Sequence, residues 1–308
     1  MKKILTALAF AALVILVFAA AAEQDAAEFK SGDYVYALLP NGTAEIVRYE
    51  GSDTVLAFPA SVDGIPVTRI GYGLFYDLNA AGSVVSVQIP ASIEAIESNP
   101  FCAFDSLKEI TVSEDNPFFE VAGCFLIRKA DNALVSCAPA SCPAELTVPE
   151  GIRIIASRAL ACCLFTSAAI PDTVTVIEDL AFGSCMFLTS VSLPDSVTNM
   201  GHHVFMFCSS QRTVRLPAHL TRIGEGTFSG CFRLAFVRIP DGVTAIGSEA
   251  FFYCKRMFSA IVPGSVTEIG ERAFYGCSEH LVFTVRRDSF AEGYCAENGY
   301  SFIYPRET

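Results

Sequence analysis

Residues 239–254 read IPDGVTAIGSEAFFYC, and residues 262–277, 23 positions on, read VPGSVTEIGERAFYGC. The stride continues on the N-terminal side. Prolines stand at Pro171, Pro194, Pro217, Pro240 and Pro263, phenylalanines at Phe182, Phe205, Phe228, Phe251 and Phe274, and cysteines at Cys185, Cys208, Cys231, Cys254 and Cys277. Three residue types held in register over five periods mark a solenoid, in which each repeat packs on its neighbours.

Within one period, Val237 and Ile239 alternate with Arg238 ahead of Pro240, which is the spacing of a short strand with alternate side chains buried. Val243 and Ile246 follow the proline, and then Ala250, Phe251 and Cys254, whose spacing predicts a turn of α- or 3₁₀-helix. Such a unit cannot bury Phe251 alone, so coils must stack like on like at about 4.8 Å. Proline suits the bend because its φ is fixed and it donates no ladder hydrogen bond. Gly201, Gly224, Gly247 and Gly270 follow the second buried position and predict a positive-φ turn.

The motif I-P-x-S-V-T-x-I-G-x-x-A-F-x-x-C-x-x-L-x-x-V resembles the BspA-like, or treponemal-type, leucine-rich repeat over most of the chain. The resemblance implies a leucine-rich-repeat solenoid of β-rich α/β class, with short strands and one short helical or 3₁₀ turn per coil of about 23 residues. It also implies a bacterial-type, surface-exposed or secreted binding protein with no catalytic site of its own.

Along the chain, Lys2 and Lys3, the uncharged run Ile4–Ala22 and small residues at Ala20–Ala22 predict a signal peptide over residues 1–22. An uncleaved anchor is the alternative. Residues 23–64 read as a leader and capping strands, with a hairpin turning at Asn41-Gly42. Residues 65–285 are the solenoid: a degenerate coil over Ile65–Ile89 that includes Phe75, a second over Ile89–Val112, and an inserted hairpin within 113–147, pairing Cys124–Arg128 with Leu134–Cys137. Residues 286–308 form a C-terminal cap, with a helix N-capped by Asp288 and stopped at Asn298-Gly299, then a strand over Ser301–Tyr304. The largely unbroken rhythm predicts one elongated domain.

The chain carries 33 acidic and 21 basic residues. That balance disfavours nucleic acid and anionic lipid, which need a basic face. Of the twelve cysteines, Cys163, Cys185, Cys208, Cys231, Cys254 and Cys277 recur at one core position and are expected to be free thiols acting as small hydrophobes. Cys102, Cys124, Cys137, Cys142, Cys162 and Cys295 lie off that column, and Cys137–Cys142 is the expected local pair. The same two residues have zinc-ligand spacing, but no second pair or nearby histidine completes a set. No G-x-S-x-G, P-loop, dinucleotide fingerprint or H-E-x-x-H is present. His202 and His203 are expected to be a solvated surface pair. The expectation is a non-enzyme without cofactor or metal.

Residues between the buried strand positions face out, and among them Ser192, Thr213, Arg215, Phe236, Arg238 and Ile261 form the candidate binding stripe, since arginine and aromatics favour interface hot spots. A merely solvated strand face is the plain alternative. A second candidate is the turn edge with Met206, Phe207, Phe252, Tyr253 and Tyr275. The expected partner is a protein, with no nucleic acid and no membrane insertion after signal removal. Two other readings stand beside it: a self-associating envelope component, and an enzyme with a site in the Ser113–Thr147 insert.

Overall fold

The computed structural model describes residues 27–71, 73–74 and 81–305. The expected signal peptide and Phe75 lie outside those residues. The chain divides into two units, Met1–Cys142 and Pro143–Thr308.

The first unit carries β1 (Glu28–Ser31), β2 (Tyr34–Leu38), β3 (Ala44–Tyr49), β4 (Val55–Ala57), β5 (Ser61–Val62), β6 (Ile65–Ile70), β7 (Ser86–Ile89), β8 (Ala95–Ile96), β9 (Glu109–Val112), β10 (Phe119–Ala122), β11 (Phe125–Arg128) and β12 (Ala133–Cys137). β1, β2 and β3 pair antiparallel, and the β2–β3 turn uses Gly42 at φ +81, while Asn41 Oδ1 accepts from the Thr43 N–H at 3.1 Å. Pairing then becomes parallel, β3 to β6 to β8 and β4 to β7 to β9, which is coil stacking. β10, β11 and β12 are antiparallel again. Asn116 anchors the entry to them: its Nδ2 donates to Pro90 O (2.8 Å) and Ile93 O (3.1 Å), and its Oδ1 accepts from the Phe118 and Phe119 N–H groups. This buried amide meets its hydrogen-bonding demand by joining two chain segments, Pro90–Ile93 and its own turn.

The second unit carries β13 (Glu145–Thr147), β14 (Ile154–Ile155), β15 (Ser167–Ala169), β16 (Val176–Ile177), β17 (Ser190–Ser192), β18 (Asn199–Met200), β19 (Thr213–Arg215), β20 (Arg222–Ile223), β21 (Phe236–Arg238), β22 (Ala245–Ile246), β23 (Ser259–Ile261), β24 (Glu268–Ile269) and β25 (Val282–Thr284), then α1 (Phe290–Asn298) and β26 (Ser301–Ile303). Three-residue strands stack in parallel as β13-β15-β17-β19 and β21-β23-β25-β26; two-residue strands stack as β14-β16-β18 and β20-β22-β24. Both stacks lose ladder pairing at one level, between β18 and β20 and between β19 and β21. The coil at that level carries Met200 where its neighbours have Ile177 and Ile223, and Gln211 where they have Leu188 and Leu234. Gln211 is fully buried and its Nε2 has no hydrogen-bond partner among the described residues.

The third side of each coil has the i→i−3 bonds that the spacing predicts, as Ala181 N–H to Glu178 O and Gly183 N–H to Leu180 O. They do not wind into a helix. Every second N–H is diverted to the next coil: Leu180, Phe182 and Ser184 donate to the carbonyls of His202, Val204 and Met206. Residues in the left-handed region recur at the stride, at Leu180, His203, Gly226, Glu249 and Arg272, and again at Ser184, Phe207, Gly230, Tyr253 and Gly276.

Gly201, Gly224, Gly247 and Gly270 are absent from those positions, so the expected positive-φ turn is not their purpose. A Cβ on Gly224 would lie 2.3 Å from Gly201 O, and one on Gly270 2.4 Å from Ser248 N. Glycine stands there because successive backbones touch.

The phenylalanine column is continuous. Phe182, Phe205, Phe228, Phe251 and Phe274 are fully buried, with consecutive ring centroids 5.1, 5.5, 5.3 and 5.0 Å apart and planes within 18° of parallel. Cys185, Cys208, Cys231, Cys254 and Cys277 each donate the S–H to a carbonyl of the preceding coil, Cys208 to Phe182 O at 3.1 Å and Cys231 to Phe205 O at 3.2 Å. Burial pushes the thiols of Cys208, Cys231 and Cys254 up.

At the C-terminal end, Phe274 meets Phe283 edge-on at 4.9 Å and Tyr294 of α1 at 6.4 Å. The N-cap of α1 is Ser289, not the expected Asp288: Ser289 Oγ accepts from the Glu292 N–H, and Glu292 Oε2 accepts from the Asp288 N–H at 2.6 Å. Serine with glutamate three residues on has capping-box spacing, here with the glutamate bond made to the residue before the cap, and the serine cap moves the start one residue. Gly299 ends the helix at φ +71. Among the described residues no helix is long and apolar enough to cross a membrane.

Candidate binding face

Alternation decides which side chains the strand face presents. The middle residues Val191, Val237 and Ala260 are buried and Val214 is half-buried, so their neighbours point outward. Ser192, Thr213, Arg215, Phe236 and Arg238 are exposed, and Ile261 is half-buried. Register sets Ser192 opposite Arg215 on β17 and β19, and Arg238 opposite Ile261 on β21 and β23. Thr213 lies opposite Ser190, and Phe236 opposite Ser259. The six residues therefore form two paired groups. The unpaired level between β19 and β21 separates them, although Ala235 N–H still donates to Arg212 O at 3.2 Å.

The two arginines differ in commitment. Arg215 binds Asp195 Oδ2 at 2.7 Å and donates to Leu193 O at 2.9 Å. The Ala218 N–H and the Arg215 guanidinium together hold the Asp195 carboxyl below the usual carboxylate range. Arg238 has no hydrogen-bond or ion-pair partner among the described residues. It stands beside Phe236 with its charge available.

An open groove of about 710 Å³ lies along the ends of β15 and β17, lined by Ala169, Asp172, Ser192, Pro194, Asp195 and Arg215 among others. It contains two of the six sequence-derived residues. The carboxylates of Asp172 and Asp195 were not among them, because aspartate in a proline turn reads first as a turn former.

The turn edge is a second surface. Phe252 stacks with Tyr275 at 5.8 Å and touches Tyr253 at 4.5 Å, and the Arg272 guanidinium lies 4.5 Å from the Phe252 ring centre. Lys255 lies 5.3 Å from the Tyr253 ring centre and 5.8 Å from that of the exposed Phe232. Met206, by contrast, is buried and belongs to the core. Phe232, Lys255 and Arg272 were missed from sequence, since cation–aromatic contacts between coils have no local signature.

The histidine pair splits. His202 is exposed, its N–H donating to Asp179 Oδ1 at 2.6 Å and its Nδ1 accepting from the Glu225 N–H at 3.2 Å. His203 is half-buried, and burial lowers its pKa from the usual 6.5.

The model of the BspA type leucine rich repeat region matches residues 61–122 and 144–281, in six copies. The chain belongs to the BspA-type leucine-rich repeat family. Among solved structures, this leucine-rich repeat chain is similar to a leucine-rich repeat protein from Eubacterium ventriosum, at 18% identity and TM-score 0.61, covering 80% of this chain and 94% of that one. A leucine rich cell surface protein from Faecalibacterium prausnitzii matches at 21% identity and TM-score 0.34, over 91% and 99% of the two chains. The Treponema pallidum leucine-rich repeat protein matches at 23% and 0.37, over 90% and 98%. Of these three, the Eubacterium protein alone superposes well enough to bear on the fold, and it agrees with the solenoid described above. No curated protein matches the chain.

Proposed function

We propose that this leucine-rich repeat protein is an exported, non-catalytic protein-binding module that acts at or outside the bacterial cell surface. Residues 1–22 serve as its signal peptide, residues 65–285 as the repeat region, and the flanking segments as caps. The observation that carries the binding role is the strand face: Arg238 is uncommitted beside the exposed Phe236, next to a groove that offers Arg215, Ser192 and two carboxylates. An arginine and an aromatic side chain on an uncovered, rigid face supply charge-assisted and apolar contacts together. Thr213 and Ile261 flank that centre and set its shape.

The test uses the mature chain as bait against surface proteins from its native surroundings. The double variant Arg215→Glu, Arg238→Glu should lose the captured partner while its circular dichroism stays unchanged. Undiminished capture would remove the strand face from the mechanism. A second reading, self-association, is favoured by β26, the terminal strand of its sheet, whose outer edge can add a strand from another copy. Sedimentation that stays monomeric across concentration counts against it.

A further inference from the structure

We infer that Cys124 and Cys142 are the two ends of a disulfide that staples the inserted hairpin of the first unit. The chain leaves Cys124 along β11, returns along β12, and enters the 3₁₀ turn Pro139–Ser141, which Cys142 ends. Ala138 N–H donates to Cys124 O at 2.8 Å, so the open end of the hairpin holds Cys124 across from the start of that turn. The turn closes with Cys142 N–H on Pro139 O at 3.4 Å. This folds the Cys142 side chain back until its S–H donates to Cys124 Sγ, with 3.8 Å between the sulfurs.

A disulfide is about 2.05 Å long, so each sulfur need travel only about 0.9 Å, half the difference. Both residues are half-exposed, so an oxidant can reach them. Cys137, whose thiol also lies within 4.8 Å of that of Cys142, is only 2% exposed. That contrast selects Cys124 over the C-x₄-C pairing expected from sequence. Cys208, Cys231 and Cys254 of the core column are different again, being buried with their S–H groups on carbonyls.

The oxidant is a low-molecular-weight disulfide. The Cys142 thiolate attacks one of its sulfurs and expels a thiol; Cys124, on losing its proton, attacks the Cys142 sulfur of the mixed disulfide and expels the second. Two S–H bonds are lost, one S–S bond forms, and the oxidant leaves as two thiols.

The purified full chain is incubated with oxidised glutathione, alkylated under denaturing conditions and digested with trypsin. Cleavage after Lys108, Arg128, Lys129 and Arg153 puts Cys124 on one peptide and Cys142, with Cys137, on another. Those peptides should be joined, two hydrogens lighter, with every other cysteine alkylated. The link should persist in Cys137→Ser and disappear in Cys142→Ser. Three results would each overturn the proposal: alkylation of both residues, a link lost in Cys137→Ser but kept in Cys142→Ser, or thiols protected without loss of hydrogen by zinc that a chelator removes. None of these outcomes depends on whether the protein is exported.

Discussion

Phe228→Ala is the most direct probe of the stacked core. The ring is fully buried, 5.5 Å from Phe205 and 5.3 Å from Phe251, and within 10° of parallel to both. Truncation forfeits about 2–3 kcal/mol of transfer free energy. It also removes two ring contacts worth about 0.5–1.5 kcal/mol each. The total, about 3–6 kcal/mol, brackets the usual Phe→Ala cost of about 3–5 kcal/mol. The neighbouring rings are held on every side by their own coils, so the gap cannot close by collapse. Phe232→Ala is the matched control: that ring is 39% exposed and its loss should change stability by less than about 1 kcal/mol. Urea unfolding followed by circular dichroism reads both, provided the slopes agree with wild type, since a changed slope in a repeat array signals uncoupled coils. If Phe228→Ala costs no more than Phe232→Ala, the column is not what holds the coils together.

Two further expectations test the turn side. Gly247→Ala would place a methyl group 2.6 Å from Glu225 N and 2.8 Å from Gly224 C, both backbone atoms, and should destabilise by about 2 kcal/mol or more, whereas Gly293→Ala in α1 meets nothing within 4 Å and should stabilise by about 0.5–1 kcal/mol. Equal effects in urea titrations would show that contact between coils is not the reason for glycine. For His203, the folded pKa lies below the unfolded value of 6.5, because burial outweighs the attraction of Glu225. The unfolded chain then binds more protons, so this contribution is present above pH 6.5 and is lost as pH falls below it. His203→Asn tolerates the left-handed backbone and should show a smaller drop in urea midpoint from about pH 7.5 to about pH 5.5. A drop as large as in wild type would refute the assignment.

Much of the architecture is visible in the residues themselves. The interval between Phe182 and Phe274, or between Pro171 and Pro263, survives because stacking rewards identical side chains at identical places, and every coil must satisfy the same neighbour. The outward set Ser192, Thr213, Arg215, Phe236, Arg238 and Ile261 followed from alternation alone. Alternation says nothing about rotamers, so it could not distinguish Arg215, tied to Asp195, from the unengaged Arg238. Nor could it show that the ladder breaks between them, at the coil with Met200 and Gln211.

The repeat interval and the side-chain columns are written along the chain, since each residue answers to the one a coil away. Distances across the stack are another matter. Glycine spacing against the previous backbone, the thiol-to-carbonyl bonds of the cysteine column, the diverted N–H groups of the turns and the approach of Cys124 to Cys142 all depend on how closely separate segments come together. That separation is set by packing in three dimensions, and no local pattern encodes it.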